Sequence, residues 1–472
     1  EAHGKEPRVI HEMWDNNMHL LKFNKQLKAG ETYRFSIAGS SITSAHHDDP
    51  LNEAERLTIF AKLEGRERLL QFHNQAWDKL WESDIQIEGD AEAQQDVHSM
   101  LYHLYSFVRA ESNLSPSPMG LSGLGYNGHV FWDTELWMYP ALLTLHPEMA
   151  KSMMQYRFNR LEAARRNAFN HGYKGAMFPW ESAGTGVEET PVWALSGPFE
   201  HHITACVGFA AWNYYCVTQD KEWLKNTGWT LLKETADFWA SRVERKGPGR
   251  FEINNVVAAD EWAENVDNNA FTNAATIANL QAATKAAAVL GLTPNPDWEL
   301  VAKNIPILTM PETEGEAKGV TREHATYKGE GIKQADVNLL AYPLKSITDK
   351  AQIKRDLDYY SKRVPNQGTP AMTQAIFSLL YARLGETEKA HHFFVDAYTP
   401  NLNPPFRVIA ETKGGTNPYF GTGAGGIIQS LLMGFGGLDI TEKGIVQLPS
   451  KLPSQWKKMT ITGVLGKTYT IQ

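Results

Sequence analysis

Residues 97–108, with the sequence VHSMLYHLYSFV, determine the fold class of the central part of the chain. Their apolar side chains recur at intervals of three and four positions, which places them on one face of an α-helix. The apolar positions are Val97, Met100, Leu101, Leu104, Tyr105 and Val108. Such a stripe is typical of a helix packed against a core, so we predict that helices build this region.

Helix signals recur along the chain. A second helix is predicted through Ile277, Leu280, Thr284 and Val289, with Gly291 placed to end it. Further helix stops, each followed by a new first turn, lie at 145–148, 218–222, 348–350 and 385–389. Short links of this kind predict roughly five antiparallel helical hairpins, with room for a sixth. The spacing fits a closed helical toroid or an open solenoid and does not separate them.

The two ends of the chain have a different pattern. Residues 32–38 (TYRFSIA), 445–448 (IVQL) and 459–464 (MTITGV) are rich in β-formers. A lone strand is not stable by itself. We therefore expect an N-terminal remnant of a β domain at 1–48, a helical linker at 49–88, the helical domain at 89–437 and the start of a C-terminal β domain at 438–472. We expect the natural protein to extend beyond both ends.

The composition excludes several classes of function. The chain has 472 residues, a net charge of -8 and no basic stripe, so we predict no nucleic-acid partner. It has no apolar run long enough to cross a bilayer, so we predict no membrane partner. Its two cysteines, Cys206 and Cys216, lie in one predicted helical segment, where the geometry disfavours a disulfide.

Two short stretches carry the chemistry of the chain, 128–135 (GHVFWDTE) and 260–273 (DEWAENVDNNAFTN). Both mix carboxylates, amides and aromatic rings at a density that a core rarely tolerates, because a buried carboxylate is costly unless it is paired. Rings stack on the C–H faces of sugars, and carboxylates and amides bind sugar hydroxyls. These residues therefore predict a carbohydrate-active enzyme. Long polar-aromatic loops of this kind, which are usually functional, are predicted at 111–132, 171–200, 254–273, 312–333 and 400–423.

These loops resemble glycoside hydrolase family 65. The matching segments are 126–135 (YNGHVFWDTE), 200–204 (EHHIT), 260–273, 333–337 (KQADV) and 423–426 (GAGG). The resemblance implies a mainly α fold in which an (α/α)6 barrel is flanked by β segments, the end of an N-terminal β-sandwich and the start of a C-terminal β domain. The family joins disaccharide phosphorylases and α-glucoside hydrolases, all of which act with inversion.

The resemblance also implies roles for individual residues. The Glu that follows Asp in the third matching segment, here Glu261, is the general acid. The residues predicted to bind substrate are Trp132, Asp133, Lys333, Gln334, Trp262 and His202. Glu135 and Glu264 stay open between a structural role and contact with substrate.

An inverting glycosidase needs a second carboxyl, which activates water from the opposite side of the bond, about 6.5–9.5 Å from the acid. In the hydrolytic branch a Glu in the context of 404–412 (PPFRVIAET) is this base, so we predict that Glu411 fills the role. The next turn, 420–426, lacks the His expected of a phosphate pocket. The acid must keep its proton, and we expect Asp260, Trp262 and Glu264 to favour the protonated form.

The leading hypothesis is an inverting, exo-acting α-glucosidase that releases glucose from a small disaccharide or oligosaccharide. Kojibiose, the α-1,2-linked disaccharide, is the first choice, because hydrolytic members with this Glu-containing loop resemble kojibiose hydrolases; trehalose is the next. The alternative enzyme is an inorganic-phosphate-dependent disaccharide phosphorylase. A non-enzymatic helical sugar-binding scaffold is the third hypothesis. The wall beyond the glucosyl site is assigned to Trp180, Glu181, Phe199 and Tyr419.

We predict no cofactor and no metal ion. The histidine pairs 46–47, 201–202 and 391–392 lack a helical i, i+4 partner and a neighbouring Cys pair. The predicted partner is a small α-glucoside, and a homodimer is compatible with the resemblance. The substrate type, together with a start (EAH) that is neither an initiator Met nor a signal peptide, leads us to expect a periplasmic or secreted protein.

Overall fold

The computed structural model describes residues 7–14, 18–44, 46–121, 123, 125–311, 315–417 and 419–472. The chain divides into two compact units, Glu1–Lys79 and Leu80–Gln472. No helix in the described part of the chain combines the length and the hydropathy that a bilayer-crossing helix requires.

The first unit contains a β-hairpin and two helices. Strand β1 (Ile10–Trp14) pairs antiparallel with β2 (Met18–Lys22), and α1 (Pro50–Glu64) and α2 (Arg66–Leu80) follow. The prediction of a strand at 32–38 is wrong, since these residues form no strand and Phe35 and Ile37 are exposed. An alternating segment becomes a strand only where a neighbouring strand accepts its backbone hydrogen bonds, and the described residues of this unit provide no such neighbour.

The second unit is mainly helical. Its helices are α3 (Ala91–Phe107), α4 (Tyr139–Leu145), α5 (Pro147–Asn159), α6 (Leu161–Asn170), α7 (Ser196–Phe199), α8 (His202–Thr218), α9 (Lys221–Trp223), α10 (Trp229–Arg242), α11 (Ala270–Leu290), α12 (Pro296–Asn304), α13 (Lys350–Tyr360), α14 (Met372–Leu384), α15 (Thr387–Tyr398) and α16 (Gly421–Gln429). Short π-helical segments at Thr134–Met138 and Leu224–Gly228 lead into α4 and α10, and a third, Ser430–Phe435, continues α16. Short 3-10 turns lie at Gly125–Gly128, Val337–Leu340 and Thr399–Asn401.

The strands of this unit form one small sheet and three hairpins. The sheet has the antiparallel order β11 (Lys467–Ile471), β10 (Lys458–Val464), β3 (Ile85–Glu88), with Met459 opposite both Ile471 and Ile87. It therefore joins the beginning and the end of the unit. The hairpins pair β4 (Glu244–Gly247) with β5 (Arg250–Glu252), β6 (Leu402–Asn403) with β7 (Val408–Ile409), and β8 (Leu438–Thr441) with β9 (Gly444–Gln447).

Most helix signals in the sequence are confirmed. The stripe at 97–108 lies on α3 and at its C-terminus, and its six apolar side chains are buried. Gly291 ends α11 in the left-handed conformation, with φ of 69°. The predicted stops coincide with the ends of α4, α8 and α14 and with the start of α13. Cys206 and Cys216 are buried free thiols within α8, as their spacing predicted.

Two glycines within helices permit close contacts with neighbouring segments. A Cβ at Gly208 of α8 would lie 2.0 Å from Nδ2 of Asn279 on α11 and 2.7 Å from Oγ1 of Thr235 on α10. A Cβ at Gly425 of α16 would lie 2.4 Å from the carbonyl oxygen of Trp137. Any side chain at either position would force the helices apart. The second contact seats the start of α16 directly on the segment that follows Asp133.

A buried ion pair holds that segment from the other side. Arg157 of α5 donates from Nε to Oε1 of Glu135 at 2.6 Å and from Nη2 to Oε2 at 2.9 Å, and both side chains are fully buried. Nη2 also donates to the Phe131 carbonyl at 3.0 Å. Of the two roles left open for Glu135, the structure supports the structural one.

We expect the substitution Arg157→Met to lower the free energy of unfolding by about 3–5 kcal/mol, because it leaves the Glu135 carboxylate buried without its partner. Urea-induced unfolding followed by circular dichroism measures the change. The matched control is Lys303→Met, which breaks the exposed pair with Glu299 and should cost less than about 1 kcal/mol. Equal effects of the two substitutions would contradict a dominant role for the buried pair.

Candidate active site

A cavity of about 160 Å³ in the second unit joins side chains from distant parts of the chain. Both predicted catalytic carboxyls, Glu261 and Glu411, line it. The other lining residues are Pro118, Tyr126, Phe131, Trp132, Asp133, Trp180, Glu181, Trp193, Ala194, Ser196, Lys333, Gln334, Pro370, Met372 and Phe420. Most of them lie on the long loops between helices, as the loop pattern predicted.

Glu261 lies in the loop between β5 and α11 and contacts two residues that were predicted to bind sugar. The Lys333 ammonium lies 3.0 Å from its Oε2, and Gln334 donates from Nε2 to its Oε1 at 3.2 Å. The same Gln334 nitrogen donates to the Ala259 carbonyl at 2.6 Å, which ties the two loops together. Burial tends to lower the pKa of Lys333, but the neighbouring carboxyl groups, Glu261 foremost and then Glu200 and Glu411, together outweigh it and raise that pKa. The ammonium therefore stays charged.

The neighbours expected to keep Glu261 protonated are placed differently. Asp260 turns its carboxylate away, toward the backbone N–H groups of Lys333 and Trp262. Trp262 is 52% exposed and is absent from the described residues that line the cavity, so the structure gives no support to its predicted contact with substrate. Glu264 is exposed as well. The charged group that contacts Glu261 in an ion pair is instead a cation, Lys333.

Glu411 is held on both of its carboxyl oxygens. The Tyr126 hydroxyl donates to Oε1 at 2.6 Å, and Asn417 donates from Nδ2 to Oε2 at 3.2 Å. Its backbone carbonyl accepts from the Ala371 N–H at 2.9 Å and from Nδ2 of Asn401 at 3.1 Å. Both the main chain and the carboxylate of Glu411 are thus fixed in orientation.

Tyr126 is a residue of the site to which the sequence analysis gave no role, although it begins a matching segment. Its backbone is left-handed, with φ of 55°, a conformation that non-glycine residues rarely adopt. Burial, together with the Glu411 carboxylate, raises the pKa of its phenol. The hydroxyl therefore stays protonated and acts as a donor to Glu411. Asn417 was also missed, since a single amide in a loop carries no distinctive signal.

Asp133 and Trp132 form the deep part of the cavity. Thr422, in the first turn of α16, donates to Oδ2 of Asp133 at 2.6 Å. Burial raises the pKa of Asp133 to about 7, against the effect of the Thr422 hydrogen bond. Trp132 is 1% exposed, and its ring packs edge-on against Trp137 at 5.8 Å between centroids. These two residues are therefore rigidly placed where the sequence pattern predicted sugar contacts.

His202 lies behind Trp132 and has no exposed surface. The two ring centroids are 4.6 Å apart, and the His202 Nε2 lies 3.0 Å from Oε1 of Glu200. Burial lowers the pKa of His202 to about 3, so the ring is neutral. This placement supports Trp132 and does not support the predicted direct contact of His202 with substrate.

The outer wall of the cavity agrees only in part with the sequence assignment. Trp180 and Glu181 line it, whereas Phe199 and Tyr419 are not among its described lining residues. Tyr419 instead packs against His103, at 4.7 Å between ring centroids. Trp193 lines the cavity although it is 82% exposed, and its sequence context did not predict this position. Its only signal was an aromatic residue within a long polar loop.

The histidine pairs that were considered as metal ligands do not form a metal-binding site in the described ranges. Within them, no group of three or more His, Cys, Asp or Glu side chains is arranged to hold a metal ion.

Residues 312–314 of the predicted loop at 312–333 lie outside the described residues.

Comparison with known proteins places the chain in a family. Residues 98–328 and 308–408 match the model of the glycosyl hydrolase family 65 central catalytic domain. The chain is 69% identical over 474 residues to a kojibiose hydrolase from Mucilaginibacter mallensis, covering 100% of this chain and 69% of that protein. It is 63% identical over 465 residues to a kojibiose hydrolase from Flavobacterium johnsoniae, covering 98% and 67%. This chain is thus about two thirds as long as either relative.

A solved structure shares the fold. The "Putative kojibiose phosphorylase from human microbiome" superposes with a TM-score of 0.73 at 21% sequence identity, covering 90% of this chain and 66% of that one. The family predicted from the matching segments is therefore confirmed: the chain belongs to glycosyl hydrolase family 65.

Proposed function

We propose that this chain is an inverting, exo-acting α-glucoside hydrolase that releases glucose from kojibiose. The observation that carries the proposal is the shared cavity, where Glu261 and Glu411 meet the sugar-binding candidates Trp132, Asp133 and Lys333. Identities of 69% and 63% to two kojibiose hydrolases support the same substrate. A helical sugar-binding scaffold would not need two carboxyls in one cavity.

We also propose that the helices of the second unit form an (α/α)6 barrel, with the cavity at one end. Two features of the chain support this: the helices follow one another through short links, and the long loops converge on the cavity. The TM-score of 0.73 to the "Putative kojibiose phosphorylase from human microbiome" also supports it. Long loops gathered at one end of a rigid helical scaffold are a common way to build an active site.

In the proposed reaction, Glu261 gives its proton to the glycosidic oxygen as the C–O bond breaks. Glu411 takes a proton from the water molecule that attacks the anomeric carbon from the opposite face. The α-linked glucosyl unit is then released as β-glucose. Tyr126 and Asn417 keep the Glu411 carboxylate oriented for this step, since each holds one of its oxygens.

The ion pair between Lys333 and Glu261 links the proposed acid to substrate binding. The Lys333 ammonium lies 3.0 Å from Glu261, and Gln334 donates to it at 3.2 Å. Lys333 and Gln334 are both candidates to bind glucosyl hydroxyls. In this proposal a bound glucosyl unit competes with Glu261 for these two donors.

Glu411 also argues against phosphate as the nucleophile. A phosphate dianion placed to attack the anomeric carbon would lie beside this fixed carboxylate, and like charges at contact distance repel strongly in a low-dielectric site. The phosphorylase alternative is therefore less compatible with the geometry than hydrolysis is.

The first test is an anomer-resolved proton NMR assay of kojibiose, nigerose, maltose and trehalose in phosphate-free buffer. We expect fastest cleavage of kojibiose, with β-glucose as the first product and no gain in rate when inorganic phosphate is added. A strict requirement for phosphate, with glucose 1-phosphate as the product, would replace hydrolysis with phosphorolysis. Initial release of the former non-reducing glucosyl unit as α-glucose, in excess of the α-glucose that the second sugar supplies, would contradict inversion.

The second test removes the proposed base. We expect Glu411→Ala to lower kcat roughly 100- to 10,000-fold, the range of general base catalysis. Sodium azide should restore turnover in part and give a β-glucosyl azide, because the small anion attacks without a base. The control is Glu264→Ala, which removes an exposed carboxyl of the Glu261 loop and should leave the rate unchanged. Undiminished hydrolysis by Glu411→Ala would exclude Glu411 from the mechanism.

A third test removes a single hydroxyl. Because Tyr126 donates to Glu411 at 2.6 Å, we expect Tyr126→Phe to lower kcat roughly 10-fold or more, the effect of a lost hydrogen bond to a charged group. Steady-state kinetics on kojibiose measure it. Tyr419→Phe is the matched control, since this hydroxyl belongs to a residue that does not line the cavity. The same loss in both variants would mean that orientation of Glu411 is not the cause.

A further inference from the structure

Three carboxyls are buried together beneath the loop that carries Glu261. They are Asp260, Glu323 and Asp336, and their residues are 2%, 0% and 1% exposed. We call them the carboxyl cluster. None of them is among the described residues that line the cavity. The mechanism proposed above does not use them, although buried carboxyls are costly unless something compensates them.

Two members of the carboxyl cluster are compensated by N–H donors. Oδ1 of Asp260 accepts from the backbone N–H groups of Lys333 at 2.8 Å and Trp262 at 3.3 Å. Asp336 accepts from Nδ2 of Asn269 at 2.8 Å and from the Phe271 N–H at 3.2 Å. Burial raises the pKa of Asp260 to about 6 and that of Asp336 to about 7, and these hydrogen bonds act in the opposite direction, toward the ionised carboxylate.

Glu323 is different. Neither of its carboxyl oxygens accepts a hydrogen bond from an N–H or hydroxyl donor of the described residues. Its carboxyl instead faces the carboxyl of Asp260. A buried carboxylate without a donor is costly, and a proton held between two facing carboxyls removes that cost, since a protonated carboxyl can donate to an ionised one. The burial of Glu323 and its lack of donors therefore favour a proton in this contact.

The surroundings place that proton on Glu323. Asp260 has two N–H donors that stabilise its charge, and Glu323 has none from the described residues. Burial raises the pKa of Glu323, and the neighbouring acidic groups raise it further. The titratable groups that face Glu323 are Asp260, Asp336, Glu330, Tyr327 and Tyr360. Lys333 acts on the far member of the pair, Asp260.

We propose that Glu323 is a positioning residue that keeps its proton and donates it to Asp260, and so fixes the two segments that carry Glu261 and Lys333. Asp260 directly precedes Glu261 in the chain, and its Oδ1 binds the backbone of Lys333. The Lys333 ammonium in turn lies 3.0 Å from Glu261. The catalytic part of this inference rests on the proposed role of Glu261, whereas the proton on Glu323 does not.

The kinetic test compares two substitutions. Glu323→Gln keeps the shape of the side chain and an N–H donor toward Asp260, so we expect kcat to stay close to the wild-type value. Glu323→Leu removes the donor, and we expect kcat to fall roughly 10- to 100-fold, with a smaller change in KM. The control is Glu330→Gln, which neutralises an exposed carboxyl that faces Glu323 and should leave kcat unchanged. An equal loss of kcat in the Gln and Leu variants would overturn the proposal.

The second readout is the pH dependence of the melting temperature, which a purely steric role would not change. A Glu whose pKa is raised by folding contributes stability fully below its unfolded pKa, and this contribution is lost as the pH rises through the folded pKa. A Gln at this position does not titrate. We therefore expect the melting temperature of the wild type to fall relative to Glu323→Gln as the pH rises from about 5 to about 8. A difference that is constant with pH would overturn the proposal.

The two readouts separate this inference from the proposed function. If the wild-type protein failed to hydrolyse kojibiose, the proposed function would fail, but the melting temperatures would still report the proton on Glu323. If hydrolysis is normal and the Glu323→Gln difference is constant with pH, the inference about Glu323 fails alone.

Discussion

The placement of carboxyl groups out of water is the constraint on which this structure depends. Five carboxyls in or beside the cavity each have a partner that fixes them, because an uncompensated one would cost several kcal/mol; they are Asp133, Glu135, Glu181, Glu261 and Glu411. The Glu135 carboxylate has Arg157, and Glu411 has Tyr126 and Asn417. Asp133 accepts from Thr422. The partners come from different helices and loops. The contacts that stabilise the carboxyls therefore also bring the residues of the site together.

The helical scaffold supplies the rigidity that this arrangement requires. Gly208 lets α8, α10 and α11 meet closely, and Gly425 seats α16 on the segment after Asp133. Helices α8, α11 and α16 all begin beside residues of the site, with His202 and Phe271 packed behind Trp132 and Phe420 at the cavity wall. Helix N-termini carry partial positive charge, which is favourable near a group of carboxyls.

Charge is distributed unevenly between the two proposed catalytic groups. Glu411 is held by neutral donors, Tyr126 and Asn417, whereas Glu261 is held by the cation Lys333 and the amide of Gln334. The donors on Glu261 are themselves candidates to bind the sugar, so in the proposed mechanism its environment changes when substrate binds, whereas the donors on Glu411 are not sugar-binding candidates. Beneath Glu261, the carboxyl cluster links its loop to the loop of Lys333. The proposed acid and the proposed base, both Glu side chains, thus differ in the groups that surround them.

Several features were determined by the sequence alone. The spacing of apolar residues predicted α3, Gly291 marked the end of α11, and the matching loop segments identified the family. These features are local, because a helix face or a helix stop depends on residues a few positions apart. The alternating segment at 32–38 failed as a predictor, since a strand depends on a partner that its own residues do not encode.

Other features were decided only by tertiary structure, because they depend on contacts between distant residues. Tyr126 and Glu411 are 285 positions apart in the chain, and no local pattern indicates their hydrogen bond. Glu135 pairs with Arg157, and His202 is buried behind Trp132. These contacts indicate supporting roles for Glu135 and His202, although their sequence segments also allowed contact with substrate. The sequence supplied the chemical groups, and the long-range packing determined which of them face the cavity and which hold it in place.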